Sequence, residues 1–492
     1  MKKILIALVL LVIGVVAASP YLIGSQIEKT SQHLVAKGNK QLATLAETNP
    51  QIESAAFSLN NYQKGYLNAT ADGVLKLSLL GLAPEPMDIS IPYSTDITHG
   101  PYLGEAGFGL AKVVSRPDLS GFDLPESINE DTILIEGVVD FSQNMQDKVT
   151  VAPIKHTDES GTTLDFSGAL ITINSHLKNR STFDADVAVE QLKMMSEQEE
   201  NLLTLNPFTL DISAKGEESL ASGTYEADSS AITASMGKDI TIALQKMAMS
   251  GDYKKANGAS LMLGDNQLTL SELEITNPGT LPAPLKLPKL TFKTTVEQAQ
   301  NDDLSIAVNY LGTLDPSMMT LMRSPVDVKN AEIGLAFNAI PLSAMQAYQS
   351  LSSSMMPGAE PDAAAMQGQL FEILQMLANN AASTSLKVNA TATEGELVAD
   401  IDTGFKPDVN FDEAQMMSLL ASPSPATILP LLVGRGDVSL SKGVTDKAGL
   451  TPMIQIIAAE FVTLKDDKFS AELKIEDGQL LINGTPLPLA PQ

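Results

Sequence analysis

The sequence predicts a mainly β protein with minor α structure, in which an N-terminal transmembrane helix leads into a long antiparallel β-rich body with a helical insertion. Three observations predict it. Residues Ile4 to Ile23 form one uncharged, mostly apolar run. From about residue 49 to 341 apolar residues recur with a period of two between turns rich in Asp, Asn, Gly and Ser. From Leu342 to Ala382 the period changes to that of a helix.

At about 1.5 Å per residue, a helix over the first run spans roughly 30 Å, the thickness of a bilayer's hydrocarbon core. Lys2 and Lys3 precede it, so the positive-inside rule keeps the N-terminus in the cytoplasm and sends the remainder across. The same residues also fit a cleaved secretory signal, with Val16, Ala17, Ala18 and Ser19 permitting a cut after Ala18. The run continues through Tyr21, Leu22 and Ile23, past the about 7 to 15 residues of a signal core, which favours a retained anchor over residues 1–24. Either way the bulk is exported.

Ile27, Leu34, Leu42 and Leu45 recur at helical spacing, so residues 25–48 read as an amphipathic helix that ends at Thr48-Asn49-Pro50 and packs on the body. In region 49–341, strands are expected around Val74 to Leu79, Ile89 to Tyr93, Thr132 to Ile135, Val149 to Val151, Ala169 to Ile173 and Phe183 to Val189. More follow at Phe208 to Ser213, Ile240 to Leu244, Gln267 to Leu270, Leu290 to Thr295 and Leu304 to Val308. Leu192-Lys193-Met194 and Leu244-Gln245-Lys246-Met247 echo each other as strands of one sheet. Pro278, Pro282, Pro284 and Pro288 mark an edge or crossing segment and preclude a central strand.

Region 342–382 reads as a helical hairpin broken at Pro357 to Pro361, its Met and Leu stripes serving as core. Region 383–492 reads as α+β, with strands at Ser385 to Asn389 and Glu396 to Ile401 and helices at Asp412 to Leu420 and Pro452 to Leu464. It closes on a β-hairpin, because Asp477-Gly478 and Asn483-Gly484 both favour positive φ.

Composition excludes several function classes. The chain of 492 residues has no cysteine, which removes disulfides, thiolate metal sites and a cysteine nucleophile. A net charge of −27 repels nucleic acid and anionic headgroups, and no basic stripe offsets it. Trp is absent and aromatics make up 5%, which argues against a carbohydrate-stacking cleft.

Three stretches together carry a resemblance. They are Asn61-Tyr62-Gln63-Lys64-Gly65-Tyr66, Thr98-His99-Gly100-Pro101-Tyr102, and Asp477-Gly478-Gln479-Leu480-Leu481-Ile482-Asn483-Gly484. With the N-terminal anchor, the chain resembles the YdgA-like family of bacterial envelope proteins, a family of unknown function. The resemblance implies a single-pass inner-membrane protein with its bulk in the periplasm, and it supplies no catalytic residues. In general layout the chain is also similar to the AsmA-like envelope proteins linked to lipid transport.

No constellation rises to a catalytic or metal site. His33, His99, His156 and His176 are too far apart in sequence for a helical zinc pair. His99 is the one candidate functional residue, since Gly100 and Pro101 fix a tight bend beside it; a hydrogen bond to the turn backbone explains it without chemistry. Ser235-Met236-Gly237-Lys238 matches a serine-x-x-lysine pattern without its partner motifs, and Arg435-Gly436-Asp437 reads as a glycine-bounded turn. The acid pairs Asp184/Asp186, Asp302/Asp303 and Asp412/Glu413 read as solvated faces.

The expected function is a noncatalytic inner-membrane-anchored periplasmic protein that maintains the envelope, with no cofactor. Its partners are the inner membrane through residues 4–23 and either lipid or another envelope protein, and not nucleic acid. Two alternatives stand beside it: a periplasmic hydrolase using His99, and a self-associating scaffold.

Overall fold

The computed structural model describes most of residues 52–487 and a few positions between 36 and 46; the longest internal stretches outside it are 80–86, 355–362 and 410–423. The expected anchor over 4–23, His33, the loop at 357–361 and the helix expected over 412–420 lie outside the described residues. Among the described residues no helix is long and apolar enough to cross a membrane. By internal contacts the chain forms two compact units, one running to Lys255 and one from Ala256.

The first unit is antiparallel throughout. It contains β1 (Ile52–Lys64), β2 (Asn68–Leu79), β3 (Met87–His99), β4 (Ala111–Pro117), β5 (Ile133–Val139), β6 (Asn144–Val151), β7 (Ile154–Thr157), β8 (Thr163–Phe166), β9 (Ala169–His176) and β10 (Asn179–Val189). There follow β11 (Leu192–Met195), β12 (Asn201–Leu205), β13 (Phe208–Gly216), β14 (Ser222–Ser229), β15 (Ile232–Met236) and β16 (Ile240–Lys255). One leaf runs β1-β2-β3-β4-β5-β6-β9-β10-β13-β14-β16. A second leaf runs β7-β8-β11-β12-β15-β16, so β16 belongs to both. The echoing segments at Leu192 and Leu244 do share this sheet.

The core follows from alternation. Inward residues of β2, β3 and β6, such as Leu75, Leu77, Ile91, Ile97 and Val149, are buried, while their neighbours face out. Fully burying each aliphatic side chain contributes about 1.5–3 kcal/mol. The described N-terminal positions are helical, and Leu42 joins this core at 3% exposure. Asn39 seals the open edge of β1: its amide donates to the Phe57 carbonyl at 2.8 Å and accepts from the Phe57 N–H at 2.7 Å.

The second unit contains β17 (Met262–Thr276), β18 (Leu285–Gln298), β19 (Asp303–Thr313), β20 (Val328–Pro341), α1 (Leu342–Ser354), α2 (Ala363–Asn379), β21 (Ser383–Ala392) and β22 (Gly395–Phe405). It continues with α3 (Pro425–Ile428), β23 (Leu432–Ser441), α4 (Lys442–Lys447), α5 (Thr451–Ile457), β24 (Thr463–Lys465), β25 (Lys468–Glu476), β26 (Gln479–Ile482) and β27 (Thr485–Pro486). Its ladder runs β17-β18-β19-β20-β21-β22-β23-β25-β26-β27, again antiparallel.

Three expectations are corrected here. Pro288 sits inside β18, which has neighbours on both sides. It is tolerated because β19 pairing begins only at Lys289, and on the other side the ladder skips Pro288 opposite Glu272, whose φ is 52°, and resumes in the same register at Leu273–Leu287. The helix expected over 452–464 stops at Ile457, and β24 takes its last residues. Arg435-Gly436-Asp437 is not a turn but the middle of β23.

Candidate functional site

His99 ends β3, opposite Ala111 of β4, and its backbone N–H donates to the Leu67 carbonyl at 2.8 Å. The Gly100–Pro101 peptide is cis, and the Gly100 N–H donates to the Leu110 carbonyl at 2.8 Å. A Cβ at Gly100 would stand 1.9 Å from the Gly109 carbonyl oxygen, so only glycine fits. The fold thus brings two landmark stretches of the sequence, 61–66 and 98–102, to neighbouring hairpin tips. His156 lies in β7, and His176 closes β9, where its Nδ1 accepts from the Lys178 N–H at 3.2 Å. Among the described residues no cluster of three or more His, Asp or Glu side chains could hold a metal ion.

The outer face of the first unit carries a polar groove of about 1000 Å³ crossing β4, β5, β6, β9 and β10. Lys112 pairs with Glu136 at 3.0 Å, and Gln146 donates to Asn174 at 3.1 Å. A hydrogen bond from the Asn144 side chain holds the Asp140 carboxyl below the usual carboxylate range. Asp184 accepts from Ser213 at 2.7 Å. These charges satisfy one another across strands, as a solvated sheet face does.

The second unit offers a different surface. Read across β17 to β25, one row of facing residues is Leu268, Phe292, Tyr310, Ile333, Val388, Ala399, Val438 and Ala471. The adjacent row on the opposite face is Gln267, Lys293, Asn309, Gly334, Lys387, Asp400, Asp437 and Glu472. The sheet is therefore apolar on one side and charged on the other. Yet the apolar side is not covered in its middle: Phe292, Val308, Ile333 and Phe337 are all exposed. Phe292 and Tyr310 pack edge to face with ring centroids 5.5 Å apart.

The helical hairpin closes one end of this unit. Ala378 is fully buried against Phe371, Leu374, Phe405 and Leu431, and Asn380 donates to the Ala339 carbonyl at 2.8 Å. Beside it a cavity of about 550 Å³ is lined by Thr403, Phe405, Gly434, Arg435, Lys474 and Ile475. Arg435 lies 3.5 Å from Asp402. Hydrogen bonding from Ser385, followed by the Arg435 guanidinium, holds the Asp402 carboxyl below its ordinary range. Sequence reasoning missed these residues, since alternation marks an apolar face and does not tell whether a second layer covers it.

The fold defines a class of two-unit antiparallel β proteins, whose second unit presents an exposed apolar sheet face. The chain belongs to a bacterial family of proteins of unknown function (DUF945), whose model matches residues 1–239 and 217–490. No curated protein and no solved structure matches it.

Proposed function

We propose that this is a noncatalytic envelope protein, anchored in the inner membrane through residues 4–23, whose second unit holds lipid acyl chains against its apolar face in the periplasm. The observation that carries the reading is that face: aliphatic and aromatic side chains on successive strands, exposed at Phe292, Val308, Ile333 and Phe337. A monomer rarely leaves a contiguous apolar patch of this kind without a ligand or partner. The resemblance to YdgA-like envelope proteins, and the layout shared with AsmA-like ones, supports the same placement. The polar reverse face, with its Lys387–Asp400 pair at 3.6 Å, suits water.

The test is extraction of the full-length protein in mild detergent, exchange into a second detergent, and mass spectrometry of the bound lipid. Stoichiometric lipid that survives exchange is expected, and it should be lost in Ile333→Glu, which puts a charge in the middle of the face. A lipid-free wild-type protein refutes the reading. Dimers by native mass that bury the same face would replace it with the self-associating scaffold.

A further inference from the structure

The hairpin tips at one end of the first unit are unusually apolar. Leu67 in the β1–β2 turn is 55% exposed, Tyr102 and Phe108 in the β3–β4 loop 64% and 72%, and Phe141 in the β5–β6 turn 58%. These tips are neighbours because β1 to β6 pair in chain order. Backbone bonds tie them together, from the His99 N–H to the Leu67 carbonyl and from the Leu110 N–H to the Val139 carbonyl, both at 2.8 Å.

The exposure is built into the loop. Leu103 N–H donates to Gly107 at 2.7 Å, Gly107 N–H to Gly104 at 3.0 Å and Gly109 N–H to Pro101 at 3.1 Å. Gly104 and Gly107 take φ values of 70° and 79° that a side chain would resist. This frame holds the Tyr102 and Phe108 rings outward, 5.6 Å apart. Three of its backbone N–H groups are thereby satisfied internally, which lowers the cost of an apolar surrounding.

The direction of the chain says what lies beyond the tips. Asn39 stands beside Phe57, and the chain then enters β1 at Ile52, the end of that strand away from the tips. The described helical positions from Ala36 to Ala46 therefore lead from the tip side of Phe57 toward the start of β1. A helix over 25–48, as the sequence predicts, puts Ser25 about 21 Å from Asn39. Lys64, at the tip, is about 23 Å along β1 from Phe57. The uncharged run ending at Ile23 would thus leave the bilayer level with the exposed tips.

We propose that Leu67, Tyr102, Phe108 and Phe141 dock into the headgroup region of the bilayer that holds residues 4–23, seating the first unit against the membrane. The proposal rests on reading that segment as a span. Tyr and Phe on short, rigid loops favour the interface, where a ring meets acyl chains and a hydroxyl meets water. With Glu105 and Asp140 close by, the surface suits zwitterionic lipid and not an anionic patch.

The chain contains no Trp, so Phe141→Trp and Phe108→Trp each introduce the sole indole, and Leu202→Trp in β12 serves as an exposed control. Each full-length variant is reconstituted into phosphatidylethanolamine vesicles containing phosphatidylcholine brominated on its acyl chains. The tip indoles should emit at shorter wavelength than the control and be quenched by the bromolipid, while the control is not. Tip indoles that emit as in water and escape quenching overturn the proposal, and docking of another protein there would give that result. An alkaline carbonate wash separates the two readings. Protein retained with unquenched tips keeps the span and ends the docking. For protein released by the wash, the span fails, and the same vesicles added to it decide the docking by whether the tips are quenched.

Discussion

Asp147 and Arg180 supply the sharpest energetic test of the first unit. Asp147 is 1% exposed on the inward side of β6, between Gly137 of β5 and Ile173 of β9. Gly137 makes the room: a Cβ there would stand 2.8 Å from the carboxylate Oδ1. Arg180, from β10, donates Nη2 to Asp147 Oδ2, and its Nη1 lies 3.0 Å from the Met145 sulfur. Arg180→Met keeps the alkyl stem and removes the guanidinium from a buried carboxylate. Breaking a buried pair costs about 3–5 kcal/mol; because the Arg180 side chain is 18% exposed, the lower end, about 3 kcal/mol, is expected. At about 2–4 °C per kcal/mol for a unit of this size, the unfolding transition should fall by about 6–12 °C. Circular dichroism melting of the full-length protein in one detergent reads it. Asp147→Leu combined with Arg180→Met should recover to within about 1 kcal/mol of wild type. Lys112→Met, which breaks a half-buried pair on the outer face of the sheet whose partner Glu136 is itself partly solvated, should cost no more than about 1 kcal/mol. An Arg180→Met melt indistinguishable from that of Lys112→Met, or a double variant no better than the single, would refute the reasoning.

His99→Ala should leave rescue of an envelope defect unchanged at normal protein level; lost rescue at that level would return the hydrolase to contention. Asp402 gives a pH test. Its folded carboxyl is held below the ordinary range, first by Ser385 and then by Arg435, so its stabilisation is complete above the unfolded carboxylate pKa and is lost as pH falls through the lowered value. Ser385→Ala raises the folded value towards the unfolded one, so the acid-induced loss of stability of the second unit should begin at the same pH but be smaller and be complete at higher pH, read as unfolding midpoints between about pH 5 and 2. Superimposable profiles would show that the Ser385 bond contributes nothing.

What the sequence made legible were the features in which local chemistry decides. Asp477-Gly478 and Asn483-Gly484 do form turns, with φ of 51°, 77°, 49° and 78°, because few other dipeptides accept that backbone. The alternation of Ile89, Ile91 and Tyr93 marks β3. By contrast β14 was not expected: its inward residues are Tyr225, Ala227 and Ser229, and their facing partners Met249 and Ile212 supply the apolar contacts that a strand pattern normally advertises. The tip residues Tyr102 and Phe108 and the face residues Phe292 and Ile333 read like any core aromatic or aliphatic residue. Their exposure is decided by what else folds over them, which no local pattern encodes.

A crease between the two leaves of the first unit breaks five of its strands into short pieces. The breaks at Ala152-Pro153, Ser167-Gly168, Glu190-Gln191, Asn206-Pro207 and Ser230-Ala231 each separate two strands by two residues. Pairing does not slip across them. Val189 faces Ala169 before the break and Leu192 faces Phe166 after it, three residues forward on one strand and three back on the other. The same holds for Val151–Ala169 and Ile154–Phe166, and for Leu210–Ser229 and Leu205–Ala234, where both partners move five residues. Hydrogen bonds bridge the seam, from Ser167 to Gln191 and from Glu190 to Gly168 at 2.8 and 2.9 Å. In an unbroken strand, residues three apart point to opposite faces, yet Val151 and Ile154 are buried in one core, with Val189 and Leu192 packed against it. Each strand therefore shifts its alternation by one residue at the same level, so the sheet bends while its apolar side stays apolar in both leaves. A change in any one strand alone would turn that strand's second half inside out. The crease is thus a property of five aligned breaks, and a residue deleted from any single one should cost far more than one deleted from an ordinary turn.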